Sequence, residues 1–119
     1  MGEQLKDFRQ LRVWQQSHQL ALNIYQVTKE FPSEEKFGLV SQMRRSAVSI
    51  SANIVEGFRR RSKKEKRQFY SIAQGSADEL LNFLILSKDL GFLKDIDQEC
   101  TAVDSIARML SVMIQRAEQ

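Results

Sequence analysis

The chain is poor in the residues from which most metal centres and acid–base sites are built. Among 119 residues it has one cysteine, Cys100, and one histidine, His18. A lone cysteine excludes an intramolecular disulfide and an all-cysteine metal site. With a single histidine, neither zinc chemistry nor a Ser-His-Asp triad finds support, and no metal or cofactor is expected. One proline and five glycines exclude a fibrous repeat, and the balance of apolar and charged residues excludes a disordered chain. The longest apolar run is Phe83-Leu84-Ile85-Leu86, far below the ~20 residues of a membrane-spanning helix. Met1 to Asp7 lacks the apolar stretch of a secretion signal, so the expected location is the cytoplasm, away from any membrane. The length suits one domain, 1–119, with residues 1–8 expected to be flexible.

Charge is present in quantity and unevenly placed. The net formal charge is +3, yet residues 44–67 hold nine basic and two acidic side chains, a local +7 set against −4 in the remainder. A chain this polarised favours a polyanionic partner.

Four apolar patterns at three- and four-residue spacing succeed one another. The first, Val13, Ser17, Leu20, Ile24, Val27 and Phe31, widened by Trp14, Ala21 and Tyr25, predicts an amphipathic helix ended by Pro32. Ser33-Glu34-Glu35 is suited to start the next helix. The second helix carries Val40, Met43, Ala47, Ile50, Ile54 and Phe58 among small residues that permit close packing. Ser62 and Glu65 have the form of a capping box for a third helix, whose stripe reads Phe69, Ile72, Ala73, Ser76, Leu80, Phe83, Ser87 and Leu90, with Gly91 as its terminator. The fourth, Ile96, Cys100, Val103, Ala107, Leu110, Ile114 and Ala117, starts near Asp95 or Asp97 and places Cys100 among core positions, as a small hydrophobe and not a nucleophile. No strand pattern competes, and short connections make neighbouring helices antiparallel. The expectation is an all-α, up-down-up-down four-helix bundle. Leu81, Leu84, Ile85 and Leu86 make the third helix apolar almost all round, which suggests a second copy against that segment; the alternative is a deeply central helix.

From Gln42 to Arg60 the chain reads QMRRSAVSISANIVEGFRR. This segment resembles a bacterial family of four-helix-bundle proteins encoded in intervening sequences of 23S ribosomal RNA genes, the S23-like proteins. Trp14, Ile24-Tyr25, Phe31-Pro32, Gly75-Ser76, Glu79-Leu80 and Leu90-Gly91-Phe92-Leu93 also fall where that family has similar residues. The resemblance implies a ring-like homopentamer and a distant kinship with accessory variability determinants of diversity-generating retroelements, relatives that bind nucleic acid and a reverse transcriptase. Ser51 departs from the proline frequent in the family, and the charge of Lys63 to Arg67 is heavier than its pattern.

Arg59, Arg60, Arg61, Lys63, Lys64, Lys66 and Arg67 place seven cations in nine positions at a helix junction. Guanidinium and ammonium groups there can engage phosphates without reading bases, and Arg44 and Arg45 are expected to assist. The plainer reading is a solvated face. Arg45, Ser49, Asn53, Glu56 and Arg60 share one polar stripe, in which Asn53 and Glu56 are read as a structural polar network first. Trp14 and Tyr25 are read as core, Gly75 as a point of close helix packing, and Asp78-Glu79 and Asp95-Asp97-Glu99 as helix-surface and helix-start acids. No nucleophile, base and orienting group stand out together, so no enzyme is expected. The favoured function is a homo-oligomeric RNA- or DNA-backbone-binding scaffold of a ribonucleoprotein or retroelement-like kind; the alternative is a structural interaction module that binds no nucleic acid. A further protein partner is not identified by the sequence.

Overall fold

Four helices account for most of the residues described, 6–118, in a computed structural model of the chain: α1 Arg12–Val27, α2 Leu39–Arg59, α3 Lys63–Asp89 and α4 Asp97–Glu118. Each follows from apolar side chains at helical spacing. Val13, Ser17, Leu20, Ala21 and Ile24 are buried on α1, and Met43, Ala47, Ile50 and Ile54 on α2. They meet Ala73, Ala77, Leu80 and Leu84 of α3 and Val103, Ile106 and Leu110 of α4 in one core running the length of a 51 × 22 × 19 Å rod. The antiparallel four-helix bundle is therefore as the patterns predict.

The boundaries have identifiable causes. Phe31 is extended (φ −66°, ψ 152°), as a residue before proline must be, and α1 has already ended four residues earlier in a 3-10 turn, Thr28–Glu30. Ser33 does not cap α2: Ser33–Glu35 form their own 3-10 turn and α2 begins at Leu39. Ser62 does cap α3, its Oγ accepting the Glu65 N–H at 3.1 Å. Gly91 adopts φ +82° after α3, where the Phe92 N–H reaches the Ser87 carbonyl and the Gly91 N–H that of Lys88, both at 2.9 Å. That pair of bonds satisfies the open carbonyls of the helix end, and the positive φ favours glycine. The Asp95 carboxylate accepts the Asp97 N–H at the start of α4.

Helix α3 differs from expectation in phase. Its buried face is Tyr70, Ala73, Ala77, Leu80, Leu84 and Ser87, while Ile72 and Leu90 are about half exposed. Because the segment is apolar nearly all round, its own periodicity does not choose the face; packing against α2 does. Gly57 of α2 lies against the Tyr70 ring so closely that a Cβ there would fall 2.5 Å from Tyr70 Cε1, and Ser49 and Ser76 meet at 2.8 Å. This corrects the reading of Leu84, which is wholly inside the protomer core and unavailable to a partner. Leu81 packs partly against the core, and Ile85 and Leu86 are exposed. Gly75 is likewise not a close-packing point, since nothing lies within 4 Å of where its Cβ would be. Of residues 1–8, expected to be flexible, 1–5 lie outside the described residues. Phe8–Gln10 form a 3-10 turn capped by Asp7.

Candidate nucleic-acid interface

Antiparallel connection brings the start of α1, the end of α2, the start of α3 and the end of α4 to one end of the rod. Lys6, Phe8 and Arg9 line a hollow with Phe58 and Arg59. Leu11, Arg12 and Val13 line another with Met113 and Arg116. The cations Arg59 to Arg67 are thereby joined by Lys6, Arg9, Arg12 and Arg116, which are far apart in sequence and gave no local charge signal. At the other end lie Glu30, Glu34, Glu35, Asp89, Asp95 and Asp97, interspersed with fewer lysines, so formal charge is graded along the rod.

These cations are not equivalent. Lys66 donates from Nζ to the Gly57 and Phe58 carbonyls, at 3.1 and 2.9 Å, and so caps the C-terminal end of α2. Burial of its stem pushes its pKa down. Arg60 donates to Glu56 Oε2 at 2.9 Å and lies 4.8 Å over the Phe69 ring, leaving a buried Nε without a partner. Arg59 sits 5.8 Å over Phe8. Arg9 is held by Asp7, Nη2 to Oδ2 at 2.5 Å, and its side-chain hydrogen bond, then its backbone N–H, lower the Asp7 pKa to about 2. Arg61 and Lys64 are exposed at the junction with no acidic partner among the described residues. Lys63 is exposed and Arg67 half-buried on the next turn.

Arg44 and Arg45 do not join this end. They lie on α2 fourteen or more residues before Arg59, about 21 Å at the rise of an α-helix. Arg44 Nε donates to Thr28 Oγ1 at 3.0 Å, and its guanidinium covers the Tyr25 ring at 4.6 Å. Tyr25 is thus not core, as its place on the α1 pattern suggested, but about two-fifths exposed. Asn53 donates to the Ser49 carbonyl and hydroxyl, joining a short chain that ends at Ser76, whereas Glu56 engages Arg60 separately. Glu99, taken as a helix-start acid, is buried and accepts from Asn23 Nδ2 at 2.5 Å across the α1–α4 seam. Burial, with Asp97 and Glu99 nearby, raises the Cys100 thiol pKa, which disfavours the thiolate. Among the described residues no group of three or more His, Cys, Asp or Glu side chains could hold a metal ion, and no helix is long and apolar enough to cross a membrane.

The architecture and this end-to-end grading define the class: an antiparallel four-helix bundle with a basic end. Residues 9–115 match the family described as 23S rRNA-intervening sequence protein, and the chain belongs to that family. Its fold is similar to that of a protein of unknown function from the S23 ribosomal protein family of Bacteroides thetaiotaomicron VPI-5482, with TM-score 0.79 and 26% identity. The likeness covers 86% of this chain and 97% of that one. No curated protein matches the chain.

Proposed function

We propose that this chain is a non-enzymatic, self-associating cytoplasmic protein that holds nucleic-acid phosphates at its basic end. The observation that carries the reading is the convergence of Arg59, Arg61, Lys63, Lys64 and Arg67 with Lys6, Arg12 and Arg116 at one end of the rod. Such a surface binds the phosphate backbone with little sequence preference. Self-association is supported by Ile72, Leu86 and Leu90, which leave a half-exposed apolar face along α3; a ring-like pentamer is what the family resemblance implies. That same stretch favours the second reading, an interaction module without nucleic acid.

Fluorescence anisotropy with labelled RNA and duplex DNA tests the choice. Affinity should fall with salt at a log-log slope of about −0.7 per contact for single strands and −0.9 for duplex. Charge reversal at Arg61 and Lys64 should weaken binding to every sequence alike. No binding by the wild-type chain at about 50 mM salt, where screening is weak, would leave only the interaction module.

A further inference from the structure

Near the start of α2, remote from the basic end, the turn at Lys36 to Gly38 opens onto a hollow of about 620 Å³. Tyr25, Lys36, Phe37, Ser41, Arg44 and Arg45 line it, and no acidic side chain does. Glu35, the carboxylate nearest in sequence, is engaged elsewhere, its Oε1 accepting the Leu39 N–H at 3.3 Å.

Phe37 is 89% exposed, the most exposed large apolar side chain described. A ring so placed adds almost nothing to the burial that stabilises the bundle, yet it stands among cations, with Lys36 Nζ 5.5 Å from its centroid. Arg44 is held in place from two sides, by Thr28 Oγ1 at 3.0 Å and the Tyr25 carbonyl at 3.3 Å, with its guanidinium carbon 4.6 Å from the Tyr25 ring centroid. A guanidinium fixed in this way is oriented before any ligand arrives, so little rotamer entropy is lost on binding. Arg45 beside it is exposed with no acidic partner among the described residues. An uncovered flat ring beside one fixed and one free guanidinium matches the two parts of a nucleotide, a base with a π-face and an anionic phosphate. A base paired within a duplex has its faces stacked and cannot take this ring.

We propose that this hollow accepts an unpaired nucleotide, with Phe37 stacking on the base and Arg44 and Arg45 holding the adjacent phosphate. The proposal rests on the nucleic-acid reading for its partner class but uses residues separate from the basic end. It makes the chain a binder that prefers single strands over duplex, through a contact that carries no charge.

The probes are labelled oligo-uridylate and oligo-deoxyuridylate of about twelve nucleotides, within the usual site sizes for single strands, and a duplex of equal length. Phe37→Ala should lower single-strand affinity by about fivefold to 150-fold, the range for losing one aromatic–base stack. Duplex affinity and the salt slope should not change, because no cation is removed. Phe37→Trp should keep single-strand affinity, and its added fluorescence should be quenched by the oligonucleotide. Arg45→Ala should reduce the single-strand salt slope by about 0.7. Equal effects on ribose and deoxyribose strands place recognition in base and phosphate, while a strong ribose preference would mean that the 2′-hydroxyl carries it and overturn the stacking account. The proposal also fails if Phe37→Ala leaves single-strand binding unchanged, or if it lowers the light-scattering mass instead, which would mean a second copy covers the ring. Loss of duplex binding on charge reversal at Arg61 and Lys64, with Phe37→Ala inert, sinks this proposal alone. The converse pattern sinks the basic-end reading alone, and a wild-type chain that binds neither probe sinks both.

Discussion

Replacing Gly57 with alanine adds one methyl group at the place where α2 and α3 come closest. In an open helix the exchange favours alanine by about 1 kcal/mol. Here the new Cβ would stand 2.5 Å from Tyr70 Cε1 and 2.8 Å from Cδ1, so the ring must retreat by about 1 Å to restore ordinary contact. Tyr70 is only 5% exposed and has little room to do so. The strain therefore passes to the α2–α3 separation, through an elbow fixed by the Lys66 bonds to the Gly57 and Phe58 carbonyls. Overpacking of this kind costs about 1–3 kcal/mol. Set against the propensity gain, the net effect of Gly57→Ala is a loss of up to about 2 kcal/mol, or up to roughly 8 °C in melting midpoint for a domain of this size. The control is built into the same bundle. Gly75 lies mid-helix with nothing within 4 Å of a Cβ position, so Gly75→Ala should stabilise, by about 0.5–1 kcal/mol. Urea titration followed by far-UV circular dichroism measures both. A Gly57→Ala midpoint raised as much as that of Gly75→Ala, or a Gly75→Ala loss as large as that of Gly57→Ala, would refute the packing argument.

Two neighbouring leucines should separate core from surface: Leu84→Ala should cost about 2–5 kcal/mol at every concentration. Leu86→Asp should leave the monomer folded and lower the light-scattering mass of any oligomer built on α3, whereas a Leu86→Asp chain that unfolds would place Leu86 in the core. Asp7 has its folded pKa held near 2 by Arg9. Its contribution is thus present above the ordinary carboxyl value of 3.8 and fades as pH falls through about 2. Carboxyl NMR should show that low midpoint in the wild type and a return towards 3.8 in Arg9→Ala; a wild-type midpoint already at 3.8 would remove Arg9 from the account.

Helix number, order and two of the three breaks could be read from the chain because their causes are local. Ser62 caps α3, and Gly91 accepts a positive φ where α3 ends. The rest depended on contacts between segments. The phase of α3 was hidden where Leu80 to Leu86 are apolar nearly all round, and the close approach of Gly57 to Tyr70 helps to set it. Tyr25 read as core because its position on the α1 pattern is apolar, yet Arg44, nineteen residues on, draws it to the surface. Glu99 is a helix-start acid as read, but its burial against Asn23, 76 residues away, was not legible. The basic end was legible only in its contiguous run from Arg59 to Arg67, since Lys6, Arg9, Arg12 and Arg116 contribute by where the helices end.

The grading of charge along the rod also constrains how copies can stand together. Two rods side by side and antiparallel would set basic ends against acidic ends and attract. A cyclic ring relates its members by rotation alone, so rods standing along its axis all point the same way. Like ends then crowd together, and the repulsion among them opposes closure unless something neutralises the cations. A polyanion bound at the basic rim supplies that neutralisation, and added salt does so in part. In a ring of that kind closure and polyanion binding would be coupled, each favouring the other by the same free energy. For such a ring the assembled state is a function of what it holds.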